Sequence, residues 1–450
     1  MNKNVITVLD GATGSCGKGK VIGQLATDKT INLGASVTNC MPNTGHTFVD
    51  EHGKKIIFRN IPVSCINPKS ELFIGPGSAI DMLTFQEEYE RIQPYLGNRK
   101  IYVHELVPLV EERHKELERN NIKSGSTCKG CGAVSAEKIM RDPNLQFFKT
   151  YKNAIRCSED EWLDLLYAHL DNPNEYVLLE SAQGCGLSLN HSSNHPYVTS
   201  RNVSISRLLD DTGISPSRHL ENIMTIRPYP IRISNITEKG VICYTGSFGS
   251  GEELTWTQIN LASKMGVPPF TNDLDFYDCH ITKRIVEQLL DISSENTLKQ
   301  VFGNNYTKIN PKDVTVLEAL EMERLFYKEN NVRRYISDII HFPDEISPYI
   351  EDLSETTTVT QKERRIFNMD IDRLKRYLQI NDSYGIYLNF FQQLCLDYHH
   401  RQGYYDENYL PKEIEEYLDW IETSTNTEVI QLGTGAKNNE RIIKKSLILR

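Results

Sequence analysis

The sequence predicts an α/β fold built on a large, mostly parallel central sheet with flanking helices and helical elaborations. Three observations carry that prediction. An apolar, β-branched run, Val5-Ile6-Thr7-Val8-Leu9, meets a glycine-rich turn and then an amphipathic stretch at 21–26. Short apolar runs recur at 56–58, 72–74, 101–103, 176–179 and 386–388. Helical patterns lie between several of them, at 81–92, 107–119 and 160–170. Strands that alternate with helices favour parallel pairing, because a parallel crossover needs a helix-sized connection.

At 450 residues the chain could make two or three average domains, or one large α/β domain with elaborations across 1–450. Residues 271–350 are rich in helix formers and charges and read as a mostly helical insertion or subdomain; 411–423 reads as an acidic amphipathic helix with a solvated face. Hydrophobic residues at 39% and charged residues at 24% fit a globular chain. A formal charge of −10 argues against nucleic acid or an anionic membrane as partner. No apolar run reaches the roughly 20 residues that span a bilayer, and the chain starts almost directly in a strand. The expected location is the cytoplasm. The ten cysteines are scattered, which suits reduced thiols. Cys128-Lys129-Gly130-Cys131 is the sole C-x-x-C, too little for a structural zinc site.

The first strand runs into Asp10-Gly11-Ala12-Thr13-Gly14-Ser15-Cys16-Gly17-Lys18-Gly19-Lys20. A strand, a glycine-rich turn and a helix N-terminus make an anion site: glycines allow close backbone approach, the helix dipole favours negative charge, and lysines neutralise it. The loop is not a Walker A, since Ala12 stands at its first glycine and Gly19 where Ser or Thr would bind magnesium. On these residues alone, a phosphate loop and a plain strand-to-helix turn are both open.

Downstream, Asn43-Thr44-Gly45-His46-Thr47 is a short polar turn around a histidine. Loop and turn together resemble adenylosuccinate synthetase, whose motifs read G-D-E-G-K-G-K and N-A-G-H-T. The resemblance continues in order. Ile61-Pro62-Val63-Ser64 and Ile74-Gly75-Pro76-Gly77-Ser78-Ala79-Ile80-Asp81 stand at the family's I-P-S and G-N-G-V-V-I-D. Gly125-Ser126-Thr127-Cys128-Lys129-Gly130-Cys131-Gly132, with Arg141 beyond, is similar to G-T-T-G-R-G-I-G-P and its following arginine. Glu180-Ser181-Ala182-Gln183-Gly184 and Pro196-Tyr197-Val198-Thr199-Ser200 match E-G-A-Q-G and P-Y-V-T-S, and Val359-Thr360-Gln361-Lys362-Glu363-Arg364-Arg365 stands at T-T-G-R-P-R-R.

The resemblance implies a homodimeric ligase that uses Mg2+, phosphorylates the 6-oxygen of a purine monophosphate with a nucleoside triphosphate, and displaces that phosphate with the amine of L-aspartate. It implies that the donor nucleotide lies against Gly14, Ser15, Cys16, Gly17, Lys18, Gly19, Lys20, Gly45, His46 and Thr47, its base near Gln392, Gly433 and Gly435. The purine monophosphate would meet Ser15, Asn43, Ser126, Thr127, Gln183 and Thr199, with Arg141 reaching in from the second subunit. Val359, Thr360, Lys362 and Arg364 would hold aspartate. Ser15 and Gly45 would meet the metal, and the catalytic set would be Ser15, Lys18 and His46, the histidine acting as acid toward the transferring phosphoryl group.

Departures from the family pattern carry the specificity. The family's loop aspartate, which faces N1 of the purine, is Ser15, followed by Cys16 instead of glutamate. Serine is a poor base but shorter, and leaves room for the 2-amino group of guanine. The family's guanine-reading carboxylate in K-L-D falls at Gln392 in Leu388-Asn389-Phe390-Phe391-Gln392, which cannot accept both N1–H and N2–H of guanine. Phe390 offers a stacking face, so ATP or dATP is the expected donor. Lys362 replaces an arginine and loses its bidentate fork. These features resemble the bacteriophage branch of the family, whose enzymes join aspartate to dGMP on the way to 2-aminoadenine. The rival readings are a conventional synthetase using IMP and GTP, an inactive nucleotide-binding homologue, and a phosphotransferase with no amino-acid step. Gly251-Glu252-Glu253-Leu254-Thr255-Trp256 has no counterpart in the ordinary synthetase, and burial of Trp256 is the plain expectation.

Overall fold

The computed structural model describes residues 2–121, 127–238, 241–254, 293–310, 363–407 and 409–445, with a few residues between them, Trp256 and Glu355 among these. The first strands are β1 (Val5–Asp10), β2 (Leu33–Thr38), β3 (His46–Val49), β4 (Lys55–Phe58), β5 (Glu71–Ile74), β6 (Ile101–His104), β7 (Ala154–Cys157), β8 (Tyr176–Glu180) and β9 (His219–Ile226). Short strands follow: β10 (Ile231–Arg232), β11 (Ile236–Glu238), β12 (Val241–Cys243), β13 (Glu253–Leu254) and β14 (Arg365–Phe367). The chain closes with β15 (Gly385–Leu388), β16 (Gly403–Tyr404), β17 (Val429–Gly433) and β18 (Arg441–Ile443).

Eleven strands form the main sheet in the order β16-β18-β17-β15-β9-β1-β8-β2-β5-β6-β7. All its pairings are parallel except β17 with β18. Every residue of β1 and β2 is buried, as expected for strands covered on both faces. Successive side chains of β1 enter opposite layers: Val5 and Leu9 join one core, Ile6 and Val8 the other. Helices α1 (Lys18–Thr27) and α2 (Met82–Leu96) cover the Ile6 face, the first with Val21, Ile22 and Leu25 and the second with Ile92 and Leu96. The helices Ile371–Asn381 and Lys412–Thr425 cover the Val5 face with Leu374, Leu378, Ile414, Leu418 and Ile421. Each such aliphatic side chain stabilises the fold by about 1.5–3 kcal/mol when fully buried.

Three expectations are corrected. The 56–58 strand pairs with β3 in an antiparallel hairpin outside the main sheet. The 107–119 helix starts later, as α3 (Glu112–Asn121). Pro108 disfavours helix in the residue before it, and the amides of Leu109 and Val110 bond instead to the carbonyls of Gln146 and Ile80, both at 2.8 Å. The acidic 411–423 helix is Lys412–Thr425, and it buries a full apolar face besides its solvated one. Of the expected insertion at 271–350, the described part includes the helix Glu295–Phe302, capped by Ser294, and the 3-10 turn Gly303–Lys308; most of the stretch lies outside the described residues. No helix among the described residues is long and apolar enough to cross a membrane.

Candidate active site

The site gathers at the carboxyl ends of β1, β2, β8, β9, β15 and β17, the edge at which open α/β sheets bind ligands. Its centre is Asp10, the last residue of β1, which is fully buried. Oδ1 accepts the amides of Ala12 at 3.0 Å and Gly14 at 3.2 Å; Oδ2 accepts the Cys16 amide at 3.0 Å and the Lys18 ammonium at 3.2 Å. A buried carboxylate is tolerable only when so satisfied, and meeting that demand bends the loop. The bend places Gly14, Ser15 and Gly17 at φ 92, 59 and 82, where glycine is at ease and serine is not.

The β8 loop packs on this turn. The Lys18 ammonium donates to the Gln183 carbonyl at 2.6 Å, and the Gly186 amide donates to the Ala12 carbonyl at 2.7 Å. A Cβ on Gly184 would lie 2.6 Å from Asp10 Oδ1, so that approach requires glycine. From β15, the Asn389 amide donates to the Cys16 carbonyl at 2.7 Å and lies against Gly17. His46 opens β3 and is buried; Nε2 has no hydrogen-bond partner. Burial, then the neighbouring Lys18 charge, lowers its pKa from 6.5 to about 3, so the imidazole is neutral.

Two guanidinium groups close the other side. Arg227, directly after β9, is fully buried. It donates to the Ser15 carbonyl at 3.3 Å, forms an ion pair with Glu355, and lies 4.1 Å from the centre of the Phe390 ring. Arg364 donates to the Ser15 hydroxyl at 2.6 Å, and its Nε is 4.0 Å from Glu355. The Gln393 amide donates to Glu355 at 3.2 Å. The arrangement is a backbone loop with a buried carboxylate beneath it, a neutral histidine beside it and two arginines over Ser15.

The adenylosuccinate synthetase family model matches residues 8–152, the segment that holds the loop and His46. The N6-succino-2-amino-2'-deoxyadenylate synthase of Vibrio phage phiVC8 is 33% identical over 273 residues, 57% of this chain and 74% of that protein. The chain belongs to the adenylosuccinate synthetase family. It is a ligase that forms carbon–nitrogen bonds. The adenylosuccinate synthetase of Methanococcus aeolicus is 32% identical over 230 residues, 50% of this chain and 66% of that protein. In fold, the chain is similar to the cyanophage S-2L succinoaminodeoxyadenylate synthetase bound to dGMP and dATP, with a TM-score of 0.66 at 22% identity over 99% of this chain and 97% of that one.

In this family member several predicted residues sit differently from expectation. The Gly14 and Cys16 amides point inward at Asp10 and not outward at an anion. The Lys18 charge is already paired with Asp10. Lys20 donates to the carbonyls of Gly435 and Glu440, both at 2.6 Å, tying α1 to the β17–β18 turn; burial lowers its pKa to about 7. The Arg227 guanidinium covers a face of Phe390, which that face therefore cannot offer to a base. The Gly19 backbone packs on Thr47, and Gly45 is exposed. Gln392 is half-buried, with an unpartnered Oε1; Gly433 packs on Asn389, and Gly435 on Glu440.

Three of the expected monophosphate residues, Asn43, Thr127 and Thr199, lie near the start of α4 (Cys131–Met140), while Ser15 and Gln183 stay with the glycine loop. The Asn43 backbone meets the Cys131 thiol, Thr127 precedes the helix and is exposed, and Ser200, next to Thr199, packs on Gly132. The Thr199 amide bonds to the Leu187 carbonyl at 2.8 Å, in the loop that starts at Gln183. Arg141 is exposed at the far end of α4, about 15 Å from its start. Ser126, Val359, Thr360 and Lys362 lie outside the described residues. Sequence reasoning missed Asp10, Arg227, Glu355 and Asn389. Asp10 left a signal, a charge ending a fully apolar strand; the other three left none, since each is one polar residue after an ordinary pattern.

Proposed function

We propose that this ligase joins L-aspartate to the 6-oxo position of a purine nucleoside monophosphate, dGMP being favoured, through a 6-phosphoryl intermediate made with ATP or dATP. The observation that carries this reading is the hydroxyl of Ser15 under Arg364, at the place where the family has a carboxylate facing N1 of its purine. A short neutral group that both donates and accepts suits a purine edge bearing a 2-amino group. The phage relatives' name, and the dGMP and dATP bound in the cyanophage structure, support the same substrates. Gln392 supports the donor assignment. Its unpartnered Oε1 can accept from an adenine amine while its amide donates to a ring nitrogen, whereas it cannot accept both N1–H and N2–H of guanine as a carboxylate does.

His46 is the acid of the proposed reaction. Neutral beside Lys18, it becomes protonated when a phosphoryl group brings negative charge to Nε2, and can then return that proton to the transferring oxygen. Arg364, with Lys362, holds the carboxylates of aspartate. The Gly45 carbonyl, at an exposed position, would fit a Mg2+ bound to the donor phosphates, whereas the Ser15 hydroxyl is taken up by Arg364 and does not fit the ion. Bound there, the ion would neutralise charge that develops on the phosphates. A homodimer accounts for Arg141, which points into solvent beside Ile139 and Met140, each 78% exposed.

The test is a mass-spectrometric product assay with Mg2+ and aspartate, crossing ATP, dATP and GTP against dGMP, GMP and IMP. The expected product is dGMP plus aspartate minus water, formed with ATP or dATP and not with GTP. Turnover with IMP and GTP alone would replace this reading by the conventional synthetase. Tight nucleotide binding without turnover would replace it by the regulatory homologue.

A further inference from the structure

Arg364 and Arg365 are adjacent, yet they face opposite ways. Side chains alternate along a strand, and β14 starts at Arg365. Arg365 turns from the loop: Nε donates to Glu253 at 2.8 Å, Nη1 to the Gly246 carbonyl at 2.8 Å, and its guanidinium lies over the rings of Tyr244 and Phe367 at 4.7 and 5.0 Å. Arg364 turns toward Ser15, and both its backbone polar groups are engaged. Its amide donates to the Glu355 carbonyl at 2.8 Å, and its carbonyl accepts the Trp256 indole N–H at 2.9 Å. Trp256 is 5% exposed and belongs to the main apolar core, so water competes poorly for that bond. The neighbouring β13 pairs with β14 through Glu253–Phe367 and Leu254–Ile366.

We infer that Trp256 is a positioning residue for Arg364, and that β13, with Glu253 on Arg365, completes a splint that fixes the Arg364 guanidinium over Ser15. The inference rests on the reading of Arg364 as the clamp for the aspartate carboxylates. It gives a role to the 251–256 segment, which lies outside the family motifs. It also fits the loss of an arginine at Lys362. A lysine cannot supply a planar fork, so geometric selection of a carboxylate falls on Arg364, and a single fork selects only if it is held still. Trp256 touches the Arg364 backbone and reaches aspartate only through it.

The experiment is steady-state kinetics on the full chain with aspartate, donor and purine monophosphate varied in turn, alongside thermal unfolding. Trp256→Phe keeps an aromatic ring in the core but removes the N–H together with part of the indole volume, and thermal unfolding reads that packing loss separately. The variant is expected to raise the KM for aspartate about 5- to 10-fold while leaving kcat and both nucleotide KM values within about twofold. Glu253→Gln, at a half-exposed position, is expected to raise the aspartate KM by about twofold, and decides the matter if Trp256→Phe does not fold. An unchanged aspartate KM, or a parallel loss in all three KM values with a lowered Tm, would overturn the inference. Arg364→Lys separates the two levels. If it raises the aspartate KM and Trp256→Phe does not, the splint fails and the clamp stands. If Arg364→Lys leaves the aspartate KM unchanged, the clamp reading fails and takes the splint with it.

Discussion

The phosphate loop and the arginine segment meet at Ser15, but they are built in opposite ways. The loop is folded by its own residues: the four groups that Asp10 holds are 2, 4, 6 and 8 positions away. Apart from Glu355, 9 positions back, Arg364 is held by groups far along the chain, with Trp256 108 positions away and Ser15 349. A local carboxylate cage makes a rigid floor that forms as soon as β1 and α1 do. A guanidinium fixed through remote contacts depends on the whole sheet being assembled, and is the part that small changes elsewhere can tune. Of the departures from the family pattern, Ser15 and Cys16 lie in the locally folded loop, and Arg364 reaches Ser15 from the remotely held segment.

The largest effect should come from breaking the cage. Asp10→Asn leaves the Lys18 ammonium buried without its counter-charge and is expected to cost about 3–5 kcal/mol of stability and at least about 100-fold in kcat. Urea unfolding and turnover check it, and a cost under about 1 kcal/mol would mean that the loop does not depend on its carboxylate. Gly19→Ala comes next. Its Cβ would sit 2.5 Å from the Thr47 carbonyl oxygen and 2.8 Å from its amide nitrogen, and backbone cannot swing aside. The expected loss is ~2–3 kcal/mol with weaker donor binding, read by unfolding and by calorimetric titration with ATP.

His46 supplies a pH test of the same floor. Its pKa is 6.5 before folding and about 3 after, so between those values the unfolded chain binds the extra proton and stability is lost as pH falls. Relative to His46→Gln, the wild type should lose about 2 kcal/mol between pH 7 and pH 5. The comparison must be between variants. Buried Glu88 and Glu180, raised to about 7 by desolvation, take up protons on folding and stabilise the native state as pH falls from 7 toward 4.5. A pH-independent difference between the two proteins would show that His46 is not held neutral. The smallest effect sharpens the contrast between the neighbouring arginines: Arg365→Lys should lower stability by about 1 kcal/mol and raise the aspartate KM by only about twofold, as Glu253→Gln does, because its guanidinium reaches the loop only through β13.

The sequence by itself determined the parallel sheet, the position of the glycine loop and the placing of His46 beside it. These follow from short-range physics: apolar runs buried on both faces, glycines where φ is positive, and a polar turn soon after β2. The helix start at 107 and the 56–58 strand were misjudged for the same reason, since local pattern contains neither the backbone acceptors waiting at Ile80 and Gln146 nor the β3 partner. Only the tertiary structure decided that Arg227, Glu355 and Asn389 gather at the loop and that Trp256 holds Arg364. Their neighbourhood is fixed by strand order, which sets β9 and β8 on either side of β1 and β15 beside β9, and by the small β10-β14-β13 sheet that orients the two arginines. Strand order comes from how distant apolar faces fit together, and that fit is not written in any local stretch of residues.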